Sequence, residues 1–382
     1  MRNNMVDLQV TREKIDNVDK QIVALFQERM ELARDVAEYK LNVGKPVFDK
    51  ERERNKLKKL SSMAENEFNQ RSIQELFAMI MSLSRKFQYG MLSETEAIER
   101  FQCLDKLPIE KTTRVVYFGV PGTHTHQAMG EFFGDKVQVR NALTFKEIME
   151  LVQQGGIDYG ILPIENSSTG GITDSYDLLM EYDNYIVGEH YLKINQALLG
   201  LPGAKIENLS KIYSHPQGLL QCSTFFEEHP KIQQEKYDST AAAAKKIAED
   251  GDITHAAIAG IKAAECYGLE VLNPVLNKEE ANSTRFIVIS KKPIYVKDSN
   301  KVSICFEIPH ESGTLADILS HFKFNGLNMT KIECRPIPGR TWEYRFVIEF
   351  EGNLNDDGVR NALNGIFEEA VKVKILGNFV TQ

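Results

Sequence analysis

The sequence predicts a multi-domain chain with an all-α block first, an α/β block next and an α+β block last. Three observations carry that prediction. A chain of 382 residues exceeds what one ordinary core organises, which favours two or three domains. Apolar residues recur at heptad spacing through the first 90 positions, with no strand signal before residue 113. Strand-like and helical runs then alternate, and the final stretch reads strand, helix, strand, strand, helix, strand.

Residues 7–41 and 67–91 read as long helices, with a shorter one over 46–60. The first repeats its seam at Leu8, Ile15, Val18, Ile22, Leu25, Leu32, Val36 and Tyr39, and Gly44 and Pro46 mark the turn that follows. Val115-Val116-Tyr117-Phe118 opens the second block, followed by helices from about 125 and over 144–154, the strand Tyr159 to Ile164, and a helix over 172–182. A strand-rich stretch at 185–201 leads to Lys211-Ile212-Tyr213-Ser214. Helices then start near Pro216, Thr240 and Gly260, before a last strand from Arg285 to Ile289. Such alternation predicts α/β layers with parallel pairing. The run from 190 to 201 is expected to cross between two lobes and the chain to return before 285, leaving a cleft. The last block reads strand (302–308), helix (313–324), strand (327–335), strand (342–350), helix (356–369), strand (371–377), the ferredoxin-like order. The expected boundaries are 1–92, a linker 93–112, 113–290, a linker 291–300, and 301–379.

Composition removes several function classes. There is no run of about 18 apolar residues, and the N-terminus Met1 to Asp7 has no signal-type apolar core. Five scattered cysteines (Cys103, Cys222, Cys266, Cys305, Cys334) without C-x-x-C argue for reduced thiols in a cytoplasmic protein, with no disulfide frame and no zinc site. Residues 1–90 hold 17 basic against 14 acidic residues, a balance of +3 that leaves −11 for the rest of a chain at −8. That mild basic bias suits a small anion and falls short of a nucleic-acid footprint. Neither a membrane nor a nucleic-acid partner is expected.

The first block carries charges in its apolar seam. The heptad position of Ile15, Ile22 and Val36 is also that of Arg29, and Arg12 and Lys40 share the adjacent rail. Asp49, Arg52 and Glu53 fall on one face, and Ser84 and Gln88 interrupt or border the stripe Ile73, Phe77, Ile80, Phe87. One reading is a bundle with a buried ion pair and surface charges. The other is a pocket for a dianion, because cations converge there without a nucleophile or general base, leaving preorganised electrostatics as the device.

The spaced set Thr11-Arg12-Glu13-Lys14-Ile15-Asp16, Glu28-Arg29, Lys40, Pro46 to Arg54, Ser84 and Gln88 resembles the all-helical chorismate mutases. The resemblance implies a Claisen rearrangement of chorismate to prephenate without covalent catalysis. By it, Arg12, Arg29 and Ser84 hold carboxylates, Lys40 and Gln88 bond the ether oxygen, Glu53 meets the ring hydroxyl, and Asp49 and Arg52 complete the pocket. It also implies an interlocked homodimer in which Arg12 enters the partner's site, and higher assembly stays open.

Four segments of the middle block read as ligand loops. Gly119 to Thr125 follows a strand and opens a helix, a place that favours an anion, although a tight turn explains it equally. It is not G-x-G-x-x-G, which counts against a nicotinamide-linked dehydrogenase. The others are Pro163-Ile164-Glu165-Asn166-Ser167-Ser168-Thr169-Gly170-Gly171, Ser214-His215-Pro216-Gln217 with Gln221, and Asn282-Ser283-Thr284-Arg285-Phe286. Singly each fits a cap, a turn or a strand entry. Together they resemble prephenate dehydratase over about residues 113–290. That resemblance implies two lobes similar to periplasmic binding proteins and conversion of prephenate to phenylpyruvate. Thr284 is then the hydroxyl donor, with Glu165, Asn166, Ser214 and Gln221 positioning substrate. His124 departs from that family's aromatic residue. No cofactor and no metal is expected.

In the last block, Gly313-Thr314-Leu315, Asn328 and Glu333-Cys334-Arg335-Pro336 resemble the binding words of amino-acid-sensing ACT domains, with Thr314 and Cys334 as small substitutions. The resemblance implies phenylalanine bound at a dimer interface and feedback inhibition of phenylalanine biosynthesis. A dimerisation domain without ligand is the bland alternative. Two other readings of the whole chain are a sensor that binds aromatic metabolites without turnover, and a mutase that has lost the dehydratase.

Overall fold

The structure, a computed structural model, describes residues 7–92, 95–277 and 282–381. The first six residues, read above for the absence of a signal-type segment, lie outside them. The chain forms two compact units. One comprises 1–96, 307–328 and 354–373, the other 97–306, 329–353 and 374–382.

The first unit is helical. Helix α1 (Leu8–Val43) starts on an Asp7 side-chain cap and ends on Gly44, which takes the left-handed conformation that terminates helices. Helix α2 (Lys50–Ser61) is capped by Asp49, and α3 (Glu67–Tyr89) by Asn66. The apolar seam of α1 is largely exposed: Ile22 retains 53% and Leu25 65% of its surface, whereas Ala33 and Ala37 are buried. Helices Thr314–Phe324 and Asp357–Glu369 belong to this unit as well.

The second unit is built on sheets. Among the described residues the largest has ten strands. Its path runs Met329–Pro336, Tyr344–Glu351, Lys301–Glu307, Lys372–Phe379, Tyr185–Lys193, Ser283–Ser290, Tyr159–Asn166, Arg114–Phe118, Gln138–Ala142, with Gly170–Gly171 off its side. Strand Tyr159–Asn166 is buried on both faces, Leu162 and Ile164 in one core and Tyr159 and Ile161 in the other, which explains its unbroken apolar reading. Pairing is mixed rather than parallel throughout. Arg114–Phe118 is parallel to both neighbours, whereas Ser283–Ser290 is antiparallel to both of its own. The antiparallel strand is the one that returns from the second lobe, so no crossover helix sets its direction.

That second lobe is a five-stranded sheet in the order Glu270–Asn273, Ala197–Gly200, His255–Ala259, Lys211–Ser214, Gln233–Lys236. The chain enters it between Lys193 and Ala197, as the crossing expectation had it. Asn277 fastens that passage, its Oδ1 accepting from the Gln196 amide at 2.8 Å and its Nδ2 donating to the Ile194 carbonyl at 3.1 Å. Two differences from the sequence reading concern the linkers. Gln102–Leu104 is a strand before residue 113, and it pairs in parallel with Ile294–Val296 inside the expected linker 291–300. Three-residue segments carry too little periodicity to be read.

The last block runs strand, helix, strand, strand, helix, strand, with strand order 329–336, 344–351, 301–307, 372–379. Gly377 pairs with Ile186, and a Cβ there would collide with the Ile186 carbonyl, so glycine permits this edge to join the larger sheet.

Candidate active sites

In the first unit a cavity of about 300 Å³ is lined by Arg29, Lys40, Asp49, Arg52, Glu53, Ser84 and Gln88, together with Lys56, Arg85 and apolar Leu32, Val36, Val47 and Met81. Three helices contribute. Arg29 donates to the Ser84 hydroxyl, and Ser84 donates in turn to the Ile80 carbonyl at 2.9 Å. Lys40 donates to the Val47 carbonyl, tying α1 to the loop before α2. Asp49 caps α2 by accepting from the Arg52 amide at 3.0 Å. Gln88 donates to the Ser84 carbonyl at 3.1 Å, while its buried Oε1 has no partner among the described residues. Burial lowers the pKa of Arg29, and burial followed by the nearby Arg52 lowers that of Lys40. Cations outnumber carboxylates along this concave wall, and such an excess attracts an anion.

Arg12 is exposed on α1 and does not line this cavity. Arg85 does, and sequence reading missed it. Its guanidinium bonds Glu53 and lies 4.7 Å from the Phe48 ring centroid. The available signal was a cation beside Ser84 in a helix stripe that is otherwise apolar.

In the second unit a cleft of about 410 Å³ is lined by Asn166, Gln221 and Thr284, with Phe118, His124, Thr169, Gln196, His215, Gln217, Ser239, Thr240 and Asn282 among its other walls. Asn166 Nδ2 donates to Thr284 Oγ1 at 3.0 Å, to Asn282 Oδ1 at 2.9 Å and to the Ser283 carbonyl at 3.2 Å. Its Oδ1 accepts from the Ser168 and Thr169 amides at 3.0 and 3.1 Å, so one asparagine organises the loop and the strand entry together. Gln221 Oε1 accepts from Gln196 Nε2 at 3.2 Å, and the buried Gln196 Oε1 has no partner among the described residues. His124 opens the helix His124–Phe133 beside Gly260. Although the residue is partly exposed, both ring nitrogens are shielded and have no partner among the described residues, and burial brings its pKa down to about 4. Gly122, at φ +86°, lets this loop approach Ala263, against which a Cβ would clash.

Two predicted substrate contacts are placed elsewhere. Ser214 is fully buried and donates to the Ile258 carbonyl at 2.7 Å, which spends its hydroxyl on the neighbouring strand. Glu165 points to the sheet face opposite Asn166, as strand alternation requires, and meets Lys331 at 2.8 Å. There it joins a buried array. Arg285 bonds Glu189 at 2.6 Å and Glu349 at 2.8 Å, and Lys301 meets the other Glu189 oxygen at 2.7 Å. Thr284 and Arg285 therefore face opposite ways, one into the cleft and one into this array.

The residues of the last block fall in different units. Gly313 takes the left-handed conformation before helix Thr314–Phe324, and Thr314 donates to the Pro309 carbonyl at 2.9 Å. Leu315 is half-buried and Asn328 exposed. In the second unit Arg335 bonds Asp177 at 2.9 Å, Glu333 lies near Gly171, and Cys334 and Pro336 are exposed on an alternating strand.

Comparison with known proteins assigns the stretches that contain the cavity and the cleft to two families. The family described as chorismate mutase type II matches residues 11–89, and the family described as prephenate dehydratase matches residues 115–294. The chain is 32% identical over 382 residues to the bifunctional chorismate mutase/prephenate dehydratase of Buchnera aphidicola subsp. Schizaphis graminum, covering 98% of this chain and 97% of that one. It is 32% identical over 377 residues to the protein of the same description from Escherichia coli (strain K12), covering 97% and 95%. Among solved structures it resembles the prephenate dehydratase of Arthrobacter aurescens in complex with L-Phe, at 29% identity and a TM-score of 0.64, over 70% of this chain and 90% of that one. The chain belongs to the bifunctional chorismate mutase/prephenate dehydratase family, and it is an enzyme with both activities.

Proposed function

We propose that the helical cavity rearranges chorismate to prephenate and that the cleft of the second unit turns prephenate into phenylpyruvate, under feedback control by phenylalanine. The observation that carries this reading is the convergence of Arg29, Lys40, Asp49, Arg52, Glu53, Ser84 and Gln88, drawn from three helices, on one cavity. Arg29 and Ser84 hold a carboxylate. Lys40 and Gln88 donate to the ether oxygen as its bond to the ring breaks and negative charge develops there, and Glu53 accepts from the ring hydroxyl. No proton leaves or enters in this step, so fixed charge is the whole device.

In the cleft, prephenate loses its ring carboxylate as carbon dioxide and its ring hydroxyl with the electron pair of the breaking C–O bond. Thr284 donates to that departing oxygen while Asn166 holds the Thr284 oxygen from behind. Gln221 and Gln196 are positioned for the carboxylates. Glu165 and Ser214 support the site through the sheet rather than by contact.

The exposed seam of α1 supports a homodimer. A stripe of Ile15, Val18, Ile22 and Leu25 left in water over a helix of 36 residues fits a second copy, which also accounts for Arg12 lying outside its own cavity. The proposed modules are a mutase over 1–92, a dehydratase over 113–290 and an ACT domain over 301–379, joined by 93–112 and 291–300. Gly313, Thr314, Leu315, Asn328, Glu333, Cys334, Arg335 and Pro336 are the proposed phenylalanine site. The phenylalanine complex of the related dehydratase supports the effector assignment. Five scattered cysteines without a C-x-x-C pair support a cytoplasmic location, and among the described residues no helix is long and apolar enough to cross a membrane.

The test is chorismate turnover followed through prephenate to phenylpyruvate, with and without phenylalanine. Both products should appear in turn, and phenylalanine should slow the sequence. Unaffected rates at saturating phenylalanine would remove the effector assignment.

A further inference from the structure

Helix Asp357–Glu369 ends in two adjacent carboxylates, Glu368 and Glu369, with no basic residue in its last turn. A helix C-terminus disfavours negative charge, so these side chains need a tertiary reason to be there. Each has one in the first unit. Glu368 accepts from the amides of Val47 and Phe48 at 3.1 and 2.8 Å. The carbonyl of the same Val47 receives Lys40, so one peptide is held by Glu368 on its N–H side and by Lys40 on its oxygen side. Glu369 accepts from Arg85 Nε at 2.9 Å and from the Tyr89 hydroxyl at 3.1 Å, and His321 lies 3.3 Å from its other oxygen. The same Arg85 bonds Glu53 through its other arm.

We propose that Glu368 and Glu369 are positioning residues of the mutase, Glu368 placing Lys40 through the Val47 peptide and Glu369 placing Glu53 through Arg85. The inference rests on the assignment of the helical cavity as the mutase site. Its physical content is preorganisation. Lys40 and Glu53 are long side chains with many rotamers, and a partner on the far side of each anchor restricts them before substrate arrives. Arg85 fits this task because its planar fork bonds two carboxylates at once. Glu369 is nearly enclosed. Burial alone would raise its pKa, but His321 and Arg85 outweigh burial and bring it down to about 2, so it remains an anion throughout the neutral range.

The two carboxylates act on different groups, which separates their kinetic signatures. Glu53 meets a hydroxyl present in substrate and transition state alike, so loosening it weakens uniform binding and raises KM. Lys40 meets charge that develops only as the ether bond breaks, so loosening it lowers kcat. In the full-length chain, Glu369→Gln should raise the mutase KM about 10-fold with kcat within about twofold. Glu368→Gln should lower kcat by about 10-fold with KM nearly unchanged, from displacements well below 1 Å. Dehydration of supplied prephenate by the same preparations should stay within about twofold and serves to count folded enzyme. Glu369→Gln in an Arg85→Met background should add no further loss, because it acts through Arg85.

Mutase constants unchanged in both variants would overturn the inference, as would additive losses in the Arg85→Met background. Parallel loss of both activities would assign the pair to stability instead. Arg29→Ala is the control for the underlying site. If it leaves the mutase intact, the cavity assignment fails; if it abolishes turnover while both glutamine variants are normal, only the positioning role fails.

Discussion

Asn166 donates to the Thr284 oxygen at 3.0 Å on the wall of the cleft, so the Thr284 hydroxyl proton is not spent on the asparagine. Thr284→Ala should reduce phenylpyruvate formation from prephenate by at least about 100-fold, the scale of one positioned proton donor. Thr284→Ser keeps the hydroxyl and should retain most of the rate. Equal losses in the two variants would assign Thr284 to packing.

Arg29→Ala should abolish mutase turnover, with prephenate still dehydrated. In the proposed dimer Arg12 serves the neighbouring subunit. Mixing inactive Arg12→Ala and Arg29→Ala chains, unfolded and refolded together, should then restore roughly a quarter of the parental mutase activity, since half the dimers are mixed and each holds one intact site. No recovery, with mixed dimers demonstrated, would place Arg12 in its own subunit's site or outside both.

His124 binds a proton at about pH 4 in the folded chain, against an ordinary 6.5. The sign follows directly. As pH falls below 6.5 the unfolded chain takes up a proton that the folded chain refuses, so stability declines until about pH 4, by at most roughly 3 kcal/mol. His124→Phe removes this loss and two ring nitrogens without a partner among the described residues, and should stabilise by about 1 kcal/mol at pH 7 and more at pH 5. Melting temperatures at the two pH values decide it, and a lower value at both would contradict the argument.

Arg285 stands between Glu189 and Glu349, all three almost fully buried. Glu349→Ala removes one of the carboxylates that compensate the guanidinium and should destabilise the second unit by about 3 kcal/mol. Denaturant midpoints monitored by dehydratase activity would show it, and a change below about 1 kcal/mol would mean that water replaces Glu349 without penalty.

How much of this was legible in the sequence differs between the two sites. The residues of the helical cavity stood out because charges in a heptad seam contradict burial, and a periodic background makes the exception visible; their mutase roles come from the family resemblance. Arg29, Lys40 and Ser84 all reached the cavity. Arg85 was overlooked because a cation next to a polar position looks like a solvated one, and its importance lies in Glu369, nearly three hundred residues away. In the dehydratase the words around Asn166 and Thr284 were readable, but Glu165 was assigned to substrate and Ser214 likewise. Strand alternation turned the first to the opposite face, and a neighbouring carbonyl claimed the second.

The sequence by itself determined the order and type of the long elements, the family and most of the groups proposed to touch substrate, because periodicity and short motifs are local properties of the chain. Only the tertiary structure decided which groups those residues answer to: Glu53 to Arg85, Arg85 to Glu369, Thr284 to Asn166, Arg285 to Glu189 and Glu349. Such pairings depend on distances between elements far apart along the chain, and no local pattern encodes a distance. The exposed seam of α1 belongs to the same class. Its spacing announced a buried face, and the single folded chain leaves that face exposed, which is the ground on which a second copy is proposed to cover it.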